Sequence, residues 1–307
     1  MPPAPFKRVA GPVNYMKRAV LQVLDAVLAF SPSPDSPADR FRVEWQEPLK
    51  GPAAKSVQEL RQEYLEKLPQ EKKTYVEASL ARYHFVGDAA VRYFPSGGKV
   101  LDLGCAPGHL GIVLHNLGFE LHGIDLNQLW EELYPDRKWL QELHVRALDA
   151  EKEPLPFPDA TFDGAIFAEV LEHVAVVSPV RILREIARVL KPQGVLLLTT
   201  PNVCNLANIL ALAQGKNIFW APEMFYGCMD RHNREYTPSE ALTAVERSGL
   251  EIVDKFLFNG PNNWNGAAIE YIDDTLELLR GLDCPLLGNT VFIAARRPSN
   301  WEMLPDQ

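Results

Sequence analysis

From Lys99 onward, short apolar runs alternate with stretches in which apolar residues recur every three or four positions. Val100–Leu103, Glu120–Ile124, Thr161–Ala168, Val195–Thr199, Glu251–Phe258 and Thr290–Ala295 read as strands. Leu110–Leu117, Ser178–Leu190 and Ser239–Ser248 read as helices, the last stopped by Gly249, and Lys191-Pro-Gln-Gly194 reads as a turn. Strands alternating with helices predict an α/β chain with a parallel sheet covered on both faces. Ligands then bind at the carboxyl ends of the strands, where the strand order switches.

Residues 1–70 follow another pattern. Ten prolines, among them Pro2, Pro12, Pro34, Pro48 and Pro69, cut the segment into short pieces. One regular element is expected there, near residues 13–30, where Val20, Leu21, Leu24, Val27 and Leu28 share a helical face. It loosely resembles a signal peptide, but Gln22 and Asp25 interrupt it and it is too short to span a bilayer. An amphipathic helix that packs on the main domain, on a second copy or on a partner is the expected reading. From Ser56 the pattern turns helical, with one stripe at Val57, Leu60, Tyr64, Leu65 and Leu68 and another at Val76, Leu80, Tyr83, Val86, Ala90 and Tyr93. The expected organisation is an N-terminal extension, 1–70, and a main domain, 71–298, in which 202–236 is an inserted lid.

Composition changes little in this picture. The 307 residues are 47% hydrophobic and 23% charged, with a formal net charge of −9. Such a chain gains no general affinity for a phosphate backbone, so nucleic acid is not the expected partner. Cys105, Cys204, Cys228 and Cys284 form no C-x-x-C pair and read as reduced thiols of a cytoplasmic protein.

The chemistry begins after the first strand of the main domain. In Val100-Leu-Asp-Leu-Gly-Cys-Ala-Pro-Gly108, Gly104 and Gly108 let the backbone bend and approach a ligand, and the following helix offers free N–H groups. Asp125 ends the next strand, placed to accept from two ribose hydroxyls or else to cap a helix. Asp149, in Ala147-Leu-Asp-Ala150, stands at a further strand end, where it can accept from an exocyclic amine such as that of adenine.

These segments resemble, as a set and in order, the class I S-adenosylmethionine-dependent methyltransferases. Pro156-Phe-Pro-Asp-Ala-Thr-Phe-Asp163, Glu169-Val-Leu-Glu-His-Val174, Glu185-Ile-Ala-Arg-Val-Leu-Lys-Pro-Gln-Gly194 and Thr199-Thr-Pro-Asn202 complete the set. The resemblance covers roughly residues 80–297 and is nearest to ubiquinone-biosynthesis and other small-molecule O-methyltransferases. It implies a Rossmann-like, mostly parallel sheet of seven strands with helices on both faces, preceded by a helical extension, and S-adenosylmethionine as cofactor. The resemblance assigns Gly104, Cys105, Ala106 and Gly108 to the methionine part and Asp125 to the ribose. Leu126 flanks the adenine, and Asp149 with Ala150 meets its edge. Phe167 and Ala168 line the pocket near the sulfonium. Asp102 supports the loop and the cofactor amine, and Arg82 meets the cofactor carboxylate or lies on a helix surface. Ala106 departs from the family, which more often has glycine there.

Methyl transfer needs alignment and removal of a proton from the acceptor. His173 and His232 are the candidate bases; the alternative for each is a histidine that fixes a loop. Glu169, Glu172, His173 and His232 together resemble the metal site of plant-type small-RNA 2′-O-methyltransferases and suit Mg²⁺ or another divalent cation. The aromatic and methionine-rich segment Asn202–Tyr236 reads as the acceptor side, and Asn259–Gly266 as a second loop or a plain turn. The leading expectation is methylation of a hydroxyl, secondarily an amine, of a small molecule. Two alternatives are a metal-assisted RNA 2′-O-methyltransferase and a cofactor-binding protein without activity. The glycine loop also resembles heat-shock ribosomal-RNA methyltransferases, but Thr199–Asn202 stands where those carry a catalytic lysine.

Overall fold

The computed structural model describes residues 18, 22, 41–44, 50–64, 70–126, 134–219, 221–226, 231–259 and 288–303. Except for Arg18 and Gln22, the expected N-terminal amphipathic helix lies outside them. In chain order the elements are β1 (Arg42–Glu44), α1 (Ala54–Tyr64), α2 (Gln70–Tyr93), β2 (Lys99–Leu103) and α3 (His109–Asn116). Next come β3 (Glu120–Asp125), α4 (Lys138–Glu142), β4 (Arg146–Ala147), β5 (Phe162–Ala168), a single 3-10 turn at Leu171–His173 and α5 (Pro179–Val189). The chain continues through β6 (Leu190–Pro201), α6 (Leu206–Ala213), α7 (Pro222–Phe225), α8 (Pro238–Arg247), β7 (Glu251–Phe258) and β8 (Thr290–Arg296).

The eight strands form one sheet in the order β1-β7-β8-β6-β5-β2-β3-β4, parallel except for β8. That is one strand more than the seven expected. The extra one, β1, comes from the N-terminal extension and pairs in parallel with β7 at the sheet edge. Its three residues, Arg-Val-Glu, are too few and too polar to announce a strand. Arg42 fixes it there with a two-pronged contact to Asp254, at 2.7 and 3.2 Å. The predicted turn Lys191–Gly194 is instead absorbed into β6 as a bulge, with Gln193 at a φ of 69°.

One face of the sheet packs under α5 and α8, through Ile182, Leu183, Ile186, Leu242 and Val245. The other packs under α1, α2 and α3, through Val57, Leu60, Val76, Tyr83, Val86 and Ile112. The two predicted stripes are thus the buried faces of α1 and α2, as far as they are described. Chain order reverses between β2 and β5, which pair Asp102 with Ile166. Parallel registry brings the carboxyl ends of β2, β3, β5 and β6 to one rim there. Among the described residues no helix is long and apolar enough to cross a membrane.

Candidate active site

The glycine loop joins β2 to α3 across this switch point. Gly104 and Gly108 have φ of 81° and 84°, the left-handed region that side chains avoid. A Cβ at Gly104 would stand 2.2 Å from a methyl of Val170, and one at Gly108 2.2 Å from the Tyr134 ring. Ala106 is not in the left-handed region, so its methyl is tolerated where the family more often has glycine. Asp125 leaves β3 and accepts from the Ala106 N–H at 2.8 Å and the Leu126 N–H at 2.7 Å. It therefore braces the loop as well as facing the rim.

Asp102 is buried beside them. Burial, and then the charge of Asp125, push its carboxyl up to about 7. Cys105 is buried too and accepts from the Tyr134 hydroxyl at 3.2 Å. Burial holds its thiol well above the ordinary value, so it fills space and is no nucleophile. Leu126 is 45% exposed next to the Asp125 carboxylate. The end of β4 is tied to the same place by the Leu148 N–H, which donates to the Asp125 carbonyl at 2.7 Å. Asp149 accepts from the Glu151 N–H and pairs with Lys152, and Ala150 is half-buried behind it.

Two of the expected cofactor residues sit differently. The Phe167 side chain lies wholly inside the core, so only its backbone can face the rim, whereas Ala168 is half-buried at the strand end. Arg82, on α2, reaches the rim but is engaged there: its Nη1 is 3.2 Å from Glu169 Oε2 and its Nη2 donates to Ser79.

After β5 the chain makes a tight turn that carries the acidic and imidazole groups. Glu169 has a φ of 56°, rare for a residue other than glycine. Glu172 is fully buried; Oε2 accepts from the Thr200 hydroxyl at 2.9 Å, while Oε1 has no hydrogen-bond partner. Burial and the charge of Glu169 push its carboxyl up to about 8. His173 Nε2 lies 4.0 Å from Glu172 Oε1, and its Nδ1 is fixed on the Arg231 carbonyl at 3.0 Å. Burial, then His232, hold His173 down at about 4.

His232 comes to the same spot from the far end of the lid segment. Its ring meets that of His173 edge-on, centroids 4.9 Å apart. Its Nδ1 is 2.7 Å from Glu235, and both side chains are buried. Burial lowers His232, but the Glu235 hydrogen bond and the charge of Glu172 outweigh it and the net shift is upward. Each imidazole is thus anchored through Nδ1. Glu172, His173 and His232 offer ligand atoms all within 4.8 Å of one another. Glu169 is outside that set. The Asn233 and Arg234 N–H groups donate to the Glu172 carbonyl, which fastens the two halves together.

Four residues here were not singled out from sequence. Thr200 and Glu235 orient Glu172 and His232; Tyr134 covers the loop. Glu151 reaches over from the Asp149 turn and accepts from the N–H groups of Ala175, Val176 and Val177. The His-x-x-Glu spacing of His232 and Glu235 is a signal that could have been read; the others have none.

The segment Asn202–Tyr236 closes on itself. Asn202 bridges Tyr236, and the Val203 N–H donates to the Tyr236 carbonyl. Leu212, Phe219 and Tyr226 are exposed on it, and Arg231 lies over the Phe225 ring at 5.2 Å. Trp220, Met229 and the Met224 side chain lie outside the described residues, as does the loop 260–266.

Residues 59–255 match the family described as methyltransferase domain. A ubiquinone biosynthesis O-methyltransferase of Paracidovorax citrulli is 31% identical over 170 residues, which are 51% of this chain and 65% of the relative. One of Dinoroseobacter shibae is 31% identical over 163 residues, 52% of this chain and 62% of the relative. The matched stretch is thus under two thirds of either relative's own length. A SAM-dependent methyltransferase structure from Archaeoglobus fulgidus superimposes with a TM-score of 0.48 at 20% identity, covering 70% of this chain and 94% of that one.

Proposed function

Because the chain belongs to the methyltransferase-domain family, matched over more than half its length, we propose that it transfers a methyl group from S-adenosylmethionine to a hydroxyl of a small molecule. The observation that carries this reading is the convergence, on one rim, of the left-handed glycine loop, Asp125 that braces it, and two imidazoles anchored through Nδ1.

When bound, the donor supplies a sulfonium methyl for in-line displacement by an acceptor oxygen. Gly104 and Gly108 leave its methionine end room against the backbone. Asp125 takes the ribose hydroxyls, Leu126 and Ala150 flank the adenine, and Asp149 faces its edge. Asp102 and Arg82 meet the amino and carboxylate groups. His232 and His173 are the candidate bases for the acceptor proton, each with Nε2 turned away from its anchor. Names among the relatives favour oxygen as the atom methylated.

Alternatively, Glu172, His173 and His232 hold a divalent cation, and the two imidazoles are then ligands and not bases. Two nitrogens held in one tautomer, beside a buried carboxylate oxygen without a hydrogen bond, make a donor set for such an ion. When bound, the cation supplies positive charge that lowers the pKa of an acceptor hydroxyl. The same set fits metal-assisted methylation of RNA, which the net charge of −9 disfavours.

Calorimetric titration with S-adenosylhomocysteine tests the donor. Binding is expected, and folded protein that shows none at millimolar ligand refutes the reading. A labelled-methyl screen of phenols, catechols, amines and short RNA identifies the acceptor class. EDTA treatment with Mg²⁺ add-back tests the cation; turnover that EDTA leaves unchanged removes it.

A further inference from the structure

Toward the β4 edge of the sheet two imidazoles lie face to face. His122 of β3 and His144, in the turn between α4 and β4, stack with centroids 4.7 Å apart and planes 15° from parallel. Their hydrogen bonds fix both tautomers. His122 Nε2 is 2.8 Å from Glu120 Oε1, and the Glu120 carboxyl is held below its ordinary value by that bond. An ionised carboxylate only accepts, so this nitrogen carries the hydrogen. His144 Nδ1 is 2.9 Å from the Leu121 carbonyl, which likewise only accepts. His122 Nδ1 is therefore a bare lone pair, buried with no hydrogen-bond partner.

A proton can join His122 only at Nδ1, where nothing accepts the new N–H. The surroundings also oppose the charge. His144 lies on one face of the ring, Phe157 and Phe162 meet it edge-on, Lys99 comes from β2, and Arg146 of β4 lies over Phe157. Asp163 of β5 is already taken by Lys191 and by the Lys99 N–H. Burial outweighs the Glu120 hydrogen bond, Lys99 and His144 add to it, and His122 is held below its ordinary value.

The turn that carries His144 is sewn to β3. The Gly123 N–H donates to the Leu143 carbonyl at 2.9 Å, and the Leu148 N–H to the Asp125 carbonyl at 2.7 Å. Between them β4 pairs Arg146 with Ile124 and Ala147 with Asp125. A ladder of two residues depends on such single contacts, and the His144 backbone is itself left-handed, φ 45°. Asp125 in turn braces the glycine loop through the Ala106 N–H.

We propose that the His122–His144 stack is an acid-sensitive clasp on the donor half. With both rings neutral it holds residues 143–148 on β3; with both charged it releases them and weakens the grip on the donor at Asp125. Imidazoles ordinarily change charge between about pH 5 and about pH 8, so the release falls in mild acid. The closed clasp binds fewer protons than the open one, and acid therefore favours opening. The effect on the donor rests on the donor reading above; the release of 143–148 does not.

The test is amide hydrogen exchange of the full chain, read by mass spectrometry and corrected for intrinsic rates, beside calorimetric S-adenosylhomocysteine affinity. From about pH 7.5 to about pH 5.5, residues 143–148 are expected to lose about tenfold in protection, and the affinity to fall by a similar factor. The amides of β5 and β6 keep their protection. In His122→Gln an amide N–H still reaches Glu120 and no charge forms, so both changes disappear. Should that variant fail to fold, His144→Asn removes the exposed ring, keeps a donor for the Leu121 carbonyl, tolerates the left-handed backbone and shrinks both changes. Equal protection of 143–148 at both pH values overturns the proposal, as does loss shared equally by β5 and β6, or loss that survives in His122→Gln. Release of 143–148 with unchanged affinity overturns its link to the donor. Absence of S-adenosylhomocysteine binding at either pH refutes the donor reading, and the exchange measurement still decides the clasp.

Discussion

Single groups carry most of the stored electrostatic cost in this site. Asp102 is a buried carboxyl held at about 7 instead of 3.8. The folded chain therefore binds a proton that the unfolded chain releases, and stability falls as pH rises from about 4 to about 7. Asp102→Asn is expected to be more stable than the parent by a few kcal/mol at pH 8 and no more stable at pH 4, read from thermal unfolding across pH. Equal gains at both pH values would show that the charge is not the cause. Glu235 acts through another residue, by fixing the His232 ring. Glu235→Gln should lower turnover by about 10- to 100-fold, as for other orienting partners of an imidazole, while the affinity for S-adenosylhomocysteine stays unchanged. At this scale the sequence was legible where a residue's conformation depends on its own neighbours in the chain, as for the bends at Gly104 and Gly108. It was silent where the partner lies far off: nothing in the spacing joins Arg82 to Glu169, or Thr200 to Glu172.

Among the elements, helix periodicity was the most readable feature. Pro179–Val189 and Pro238–Arg247 fall within a residue or two of their expected bounds, the latter opened by a capping box of Thr237 and Glu240. Strand β1 was invisible because its place depends on Arg42 meeting Asp254, not on its own apolar content. Loops after strands are fixed by single side chains. Glu151 holds three successive N–H groups of the 175–177 segment, and Arg181 returns a hydrogen bond to the Glu151 carbonyl. The turn that carries Asp149 is thereby joined to the segment just after His173. Glu151→Ala is expected to destabilise the fold by about 1–3 kcal/mol, since it leaves charged hydrogen bonds unmade. It should also weaken S-adenosylhomocysteine binding, measured by calorimetry; an unchanged affinity would mean that the two segments are not coupled.

For the whole molecule, the reversal of strand order between β2 and β5 divides the labour. β2, β3 and β4 lead into expected donor residues; β5 leads into Glu169, Glu172 and His173, and β6 into the segment Asn202–Tyr236 that brings His232. That segment has a neck, the bridge of Asn202 to Tyr236 and the Val203 hydrogen bond beside it. A loop closed at its neck can change inside without moving its ends, and added length costs little closure entropy. Exchanging residues 206–226 for a stretch of different length and sequence should therefore shift the acceptor KM and leave S-adenosylhomocysteine affinity within about twofold, a change of under 0.5 kcal/mol. The neck is, in an engineer's terms, a socket: whatever is plugged in between Asn202 and Tyr236 inherits the same two fixed terminals.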